Sequence, residues 1–286
     1  STAILFRDVE SALRGATVVP GTRWADFARF MESYRQQNLP RAIARFEKIL
    51  GPLPNTSVLQ LPAPKMPPHV DHYDLKILNA PCNFTKSALD AAAASQGITA
   101  TTMVYAAWSL FLSQISGWDR VGFSISLSGR TVPWPPAQAV VGPVVGKSPF
   151  STEVPVGKTV HEWLSEVHQL TLDIMEFDGV TSSLPDSMRA NPTTNTTNVL
   201  CFLDMPKTST SWTFKDKQKH NYLLDWYLFP HGDGLKTEFE FNFAKIDEDW
   251  AKEAAKIPGR MLEGLIHAGP TTLVGDVLKS TQGTVA

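Results

Sequence analysis

The sequence predicts an α/β fold of two layers, a mixed sheet with helices packed on it, and three observations predict it. Residues 121–128 alternate strictly, with Val121, Phe123, Ile125 and Leu127 on one face and Gly122, Ser124, Ser126 and Ser128 on the other; period two is the mark of a strand. Just before it, the stretch from Thr99 to Ser116 is apolar nearly all round, through Met103, Tyr105, Trp108, Phe111 and Ile115, as a helix in the middle of a domain must be. Near the end, Tyr222–Phe229 and Leu235–Phe243 flank Asp233-Gly234, a strong hairpin signal. Strands and helices interleave without an internal repeat, which gives layers rather than a bundle or a solenoid.

The remaining elements follow in order. Ile4, Leu5, Val9, Ala12 and Leu13 put one apolar face on a first helix, residues 2–14, ended by Gly15. Thr22 is placed to cap a second helix, 23–37, with Trp24, Phe27, Phe30, Met31 and Tyr34 on one stripe. Pro40 at a first helical position predicts a separate third helix to Leu50. Residues 51–70 are proline-rich without a period and read as an extended linker. A strand is expected over His72–Leu78. Thr85 and Thr99 are the caps of two helices, with Gly97 between them. The Gly/Ser strand comes next, followed by a loop with Pro133, Pro135 and Pro136 around Trp134, and a second strand from Val140-Val141-Gly142-Pro143-Val144-Val145. A helix over 158–177, a short one over 184–190, a strand over Asn198–Leu203 and an irregular stretch over Lys207–His220 lead to the hairpin. In its second strand Phe239, Phe241 and Phe243 share one face. The last helix starts at Asp247 and is kinked or split by Pro258-Gly259.

Composition narrows the function classes. The 286 residues are 43% hydrophobic and 19% charged, with a net charge of −2. There is no basic stripe for nucleic acid, no apolar run long enough for a spanning helix and no signal-peptide pattern at the start. Nucleic acid and membrane are therefore not expected partners. Cys82 and Cys201 form no disulfide framework or metal pattern, so a reducing, cytoplasmic setting is expected. The sequons at Asn55, Asn83 and Asn195 are then chance matches. An amphipathic helix at the very first residues suggests that more chain precedes it.

Chemistry-bearing patterns are few. Gly122-Phe123-Ser124-Ile125-Ser126 resembles a nucleophile elbow, but the final Gly is missing and the strand runs on past the Ser. His161 and His168 lie seven apart on a helix, not the four of a zinc-protease pair, and no third ligand is evident, so no metal is expected. Asp204 and Asp225 have no visible partner in sequence. Arg130, at a strand end beside the long loop, can hold a phosphate, a carboxylate or a partner loop, or pin the Pro-rich loop through its backbone carbonyls. The small face of Ser124, Ser126 and Ser128 leaves room either for close packing or for a channel.

The order strand, Ser128-Gly129-Arg130, long loop, Val141-Gly142-x-x-Val145, strand resembles the carboxyl-terminal half of the condensation domains of nonribosomal peptide synthetases. Trp24-Ala25-Asp26-Phe27-Ala28 resembles that family's YxDYAxW helix, and Arg189-Ala190-Asn191-Pro192 its RxxxxNP segment. Phe177-Asp178 stands where the family has a PFExL-like motif and matches it poorly. Residues 1–15 resemble the helix after the family's active-site motif, and residues 235–265 its last strand and helix.

The resemblance implies two chloramphenicol-acetyltransferase-like lobes in a V. Residues 1–70 would be the tail of the amino-terminal lobe and 71–286 the carboxyl-terminal lobe. A tunnel between the lobes would admit phosphopantetheine arms of carrier domains as tethered substrate, past Ser124, Ser126, Ser128, Gly129, Arg130 and Gly142. Neither HHxxxDG nor the SHxxxDxxS/T of fungal terminal, cyclising domains occurs in the sequence. The catalytic His is thus expected upstream of Ser1, together with the rest of the amino-terminal lobe. Ser1 and Thr2 would be the tail of its motif. The implied function is to join a carrier-bound acyl or peptidyl thioester to an amine or hydroxyl, by amide bond formation or macrocyclisation. These residues alone would be inactive. The alternatives are a non-catalytic relative that binds a carrier domain and a stand-alone acyltransferase of the same fold.

Overall fold

The computed structural model describes residues 1–18, 21–51, 59–65, 75–191, 193–201, 222–232 and 234–281. Two helices open the chain, α1 (Thr2–Leu13) and α2 (Trp24–Leu50). They are followed by β1 (Leu75–Thr85), α3 (Lys86–Ser95), α4 (Ala100–Ser116), β2 (Arg120–Leu127) and β3 (Gly146–Glu153). Then come α5 (Val160–Met175), the short α6 (Asp186–Arg189), β4 (Thr197–Cys201), β5 (Leu224–His231) and β6 (Gly234–Asn242), and finally α7 (Glu248–Ala254), α8 (Ile257–Ile266) and α9 (Val274–Ser280).

The six strands form one mixed sheet in the order β1-β6-β5-β4-β2-β3. β4 runs parallel to both β2 and β5, and the other neighbours are antiparallel. The helical layer covers one face. α4 lies in its middle against α5 and α8, with Met103, Val104, Ala106, Ala107, Trp108, Leu110 and Phe111 fully buried. Trp108 stacks on Trp226 of β5 at 5.8 Å, and Phe111 meets Phe239 of β6 edge-on at 5.9 Å. Each such side chain contributes about 1.5–3 kcal/mol by leaving water. Phe123, Ile125, Val199, Trp226, Phe239 and Phe241 form the sheet side of this core.

Local signals in the sequence have structural counterparts. Thr85 and Thr99 accept from the N–H groups of Ala88 and Thr102, and Gly117 closes α4 at φ +71°. Thr159 and Glu162 form a reciprocal capping box on α5. Asp247 caps α7, and the Pro258-Gly259 region begins a second helix, so the last predicted helix is split.

Four expectations need correction. The second and third helices are one: α2 runs through Pro40, with Arg23 rather than Thr22 at its N-cap. Pro40 is exposed and the helix is held on both sides of it. Met31 and Phe27 are buried before it and Ala42, Phe46, Ile49 and Leu50 after it, which outweighs the lost backbone hydrogen bond. Val140–Val145 is not the second strand; the chain turns locally there and pairs with β2 only from Gly146. The strand expected at His72–Leu78 begins at Leu75 and continues to Thr85, while 72–74 lie outside the described residues. Finally, α9 was not anticipated, because its apolar set Val274, Val277 and Leu278 is too short to show a period. Most of the linker 51–70 and the stretch Lys207–His220 also lie outside the described residues.

Candidate functional site

β2 delivers Ser128-Gly129-Arg130-Thr131 to a tight corner, and a single carboxylate organises it. Asp178, just after α5 and only 2% exposed, accepts from the backbone N–H of Gly129 at 3.1 Å and of Thr131 at 3.3 Å. It also accepts from the Thr131 hydroxyl at 2.5 Å and, more weakly, from the Ser128 hydroxyl at 3.5 Å. The corner requires glycine. Gly129 has φ +67°, and a Cβ there would stand 1.7 Å from the Val144 carbonyl oxygen.

From this corner Arg130 reaches across the Pro-rich loop. Its guanidinium donates to the Ala137 carbonyl, to the Val140 carbonyl at 2.9 Å and to the Ser1 hydroxyl at 3.3 Å. Partial burial pulls the group below its ordinary pKa, but a guanidinium stays charged at any working pH. No carboxylate pairs with it among the described residues. Of the open possibilities for Arg130, the pinning of loop carbonyls is thus the one the geometry displays. Ser1 completes the knot, donating to the Gly142 carbonyl at 2.7 Å and accepting from the Gly142 N–H at 3.1 Å. Gly142 has no room for a side chain either, since a Cβ would meet the Trp24 ring at 2.2 Å. Thr2 is the first residue of α1.

A small apolar cluster supports the loop from below. Phe27, Met31, Val132, Ala137, Val140 and Val144 are buried together, separate from the main core. Trp134 stacks on Phe30 at 5.6 Å and leans on Phe27 at 5.7 Å. The far half of α2 is held to α5 by the Arg45–Asp173 and Arg41–Glu176 ion pairs and by Phe46 against Phe177.

The sequence-predicted residues thus fall into two groups. Ser1, Arg130 and Gly142 are joined by hydrogen bonds, the Arg130 backbone N–H donates to the Ser128 hydroxyl at 3.1 Å, and Ser128 and Gly129 are held by Asp178. Ser124 and Ser126 lie further back on the strand. Ser124 is buried and donates to the Thr194 carbonyl at 3.0 Å, Ser126 is half-buried and Ser128 is exposed. Asp178 is the residue the sequence reading passed over. Its signal was its place in a motif that otherwise matched poorly. His168 meets Thr102 across the helical layer at 3.0 Å, and no cluster of three metal-ligating side chains occurs among the described residues. Asp204 lies outside them. No described helix is long and apolar enough to cross a membrane. At the other edge of the sheet, a groove of about 450 Å³ runs between β1 and α8. Cys82 lines it, and burial pushes its thiol up to about 11.

The mixed sheet with its one helical layer is a lobe of the chloramphenicol-acetyltransferase type. The solved structures agree. A cyclization-docking bidomain of the EpoB nonribosomal peptide synthetase from Sorangium cellulosum superposes with a TM-score of 0.76 at 15% identity, over 95% of this chain and 58% of that one. The four-domain synthetase holo-AB3403, bound to AMP and glycine, gives 0.75 at 13% identity, over 96% and 23%. A family model described as the condensation domain matches residues 1–278, and the chain belongs to that family. Its curated relatives include fungal enzymes. Nonribosomal peptide synthetase 5 of Aspergillus fumigatus is 28% identical over 62% of the chain, and nonribosomal peptide synthetase atnA of Emericella nidulans 24% identical over 97%. The matched region is only 8% and 4% of those two relatives.

Proposed function

We propose that this chain is the carboxyl-terminal part of a condensation unit that joins a carrier-bound acyl or peptidyl thioester to an amine or hydroxyl, forming an amide or closing a peptide ring. The observation that carries the reading is the knot of Ser1, Arg130 and Gly142. Ser1 hydrogen-bonds to both Arg130 and Gly142, which lie more than a hundred residues further along the chain, and each of the three is singled out by its motif. In the reaction the acceptor nitrogen or oxygen bonds to the thioester carbonyl carbon, the C–S bond breaks, the acceptor's proton passes to a base and the thiolate leaves with a proton. These residues carry no HHxxxDG or SHxxxDxxS/T, so the reading takes the base, a histidine, from outside them, ahead of Ser1. The role it gives to this chain is to fix the floor on which the phosphopantetheine arm lies. Arg130 and Asp178 hold that floor rigid, and Ser124, Ser126 and Ser128 keep it free of bulk.

The experiment is to supply the full encoded protein with a carrier domain bearing an acyl-phosphopantetheine thioester and an amine acceptor, and to follow product by mass. Amide or ring formation from the carrier, with none by the 286 residues alone, is the expected result. Turnover of a coenzyme A thioester but not of the loaded carrier would move the reading to a stand-alone acyltransferase. Carrier binding without turnover would move it to a non-catalytic partner.

A further inference from the structure

The Gly/Ser row has neighbours that β2 alone does not reveal. Ser124 stands beside Asn198 of β4, and Ser126 beside Lys147 of β3. Directly paired residues share a face of the sheet. These four therefore project from one side, opposite the Phe123, Ile125 and Val199 side that faces the helices. Asn198 is completely buried, yet among the described residues neither its Oδ1 nor its Nδ2 has a hydrogen-bond partner. The Ser126 hydroxyl is also buried without one among the described residues. Ser124 differs, since it is satisfied by the Thr194 carbonyl. A buried carboxamide with both ends unpaired is among the costlier groups a core can hold. A Leu, with the same branching and number of heavy atoms, would remove that penalty. Above the row, the Lys147 ammonium lies 4.0 Å from the centre of the Tyr222 ring, a cation–π contact across the same face.

We propose that Asn198, with Ser126, is a binding pair for a secondary amide of the tethered substrate. Asn198 Oδ1 accepts the amide N–H, Nδ2 donates to its C=O, and the Lys147–Tyr222 contact parts to admit it. An amide is the complement of a carboxamide, since each presents one donor side and one acceptor side in a plane. An anionic ligand fits poorly, because Asp225, paired with Asn198 on β5, is buried on the same face. The amide can belong to the acyl or peptidyl unit or to the phosphopantetheine arm. The inference rests on the condensation reading above.

The test uses the full encoded protein and a carrier domain loaded with either of two donors, a peptidyl unit or the same unit with its first amide replaced by an ester. Asn198→Leu removes both hydrogen-bonding ends while keeping the branching and the number of heavy atoms, and its melting temperature checks that the larger methyl groups are accommodated. The expected result is a KM about tenfold higher for the amide donor, at unchanged kcat, and a clearly smaller rise for the ester donor, which lacks the N–H that Oδ1 accepts but keeps the carbonyl that Nδ2 serves. An equal rise for both donors, with the melting temperature kept, assigns the contact to the amides of the arm. Ser126→Ala, a smaller change, shifts KM the same way and serves if the Leu variant does not fold. Unchanged KM for both donors in a folded variant overturns the inference and leaves the condensation reading standing. No turnover by the unsubstituted protein overturns both.

Discussion

Asp178 shows how one side chain can set the geometry of a site it does not enter. Its carboxylate is sealed from water and accepts from two backbone N–H groups and a hydroxyl of the Gly129–Thr131 corner. Asp178→Ala strands those donors in a buried setting at about 1–3 kcal/mol each. Destabilisation of about 3–5 kcal/mol in urea denaturation is therefore expected. Asp178→Asn keeps one acceptor but turns an NH2 toward the donors, and should cost less. A loss below about 1 kcal/mol for the Ala variant would mean that the corner holds itself. Gly129 and Arg130 were legible in the sequence because a small-Gly-Arg run at a strand end is a local pattern. Asp178 was not, because its partners lie about fifty residues away and nothing local marks an aspartate as an anchor. The orphaned amide of Asn198 is hidden for the same reason, since burial without a partner is a property of the assembled sheet.

Helix α2 displays the limit of local rules at the level of elements. Pro40 ends or starts a helix in isolation, and the sequence accordingly suggests two helices. The protein builds one, because the stripe from Phe27 to Leu50 is buried at both ends and ion-paired to α5. The conflict is still present in the folded state. Pro40 cannot donate to the Gln36 carbonyl, and its ring crowds that turn. Since Pro40 is exposed, Pro40→Ala restores the bond without disturbing packing. It should raise stability by about 1–3 kcal/mol, seen as a higher urea midpoint at unchanged m-value. A destabilised variant would show instead that the proline bends α2 into contact with both of its supports. The elements read correctly from sequence were those with strong periods and caps: α3, α4, β2, the β5–β6 hairpin and the split after α7. Misread elements were those whose limits depend on a distant neighbour. Val140–Val145 has a strand's composition, but in the fold it packs against α2 rather than pairing with β2.

At the scale of the whole molecule the apolar residues form two clusters of unequal strength. The large one is sandwiched between the helical layer and the sheet. The small one joins the first half of α2 to the Pro-rich loop, and the Ser1–Arg130–Gly142 knot is built on it. Its loop is held by local turns, such as Ala137 N–H to the Trp134 carbonyl at 2.8 Å and Val144 N–H to the Gly142 carbonyl at 2.9 Å, rather than by a sheet ladder. Few buried contacts and no sheet ladder, with only the Arg130 and Ser1 side chains tying the loop from outside, define a region that opens below the global unfolding energy. In native-state hydrogen exchange, amides of the Trp134–Val144 segment should therefore exchange at a lower free energy than those of α4. Phe27→Ala tests the division directly, because Phe27 is 4% exposed and contacts both Trp24 and Trp134. Removing its ring costs about 3–5 kcal/mol in a packed setting. If the small cluster opens on its own, most of that loss falls on loop protection, and the exchange of α4 changes little. The site residues ride on this cluster, so, if the proposed function holds, turnover of a carrier-bound thioester by the full encoded protein should fall in the same variant while the main melting transition stays in place. A single transition in which α4 and the loop lose protection together would mean that the two clusters are one cooperative core, with the loop as rigid as the sheet beneath it.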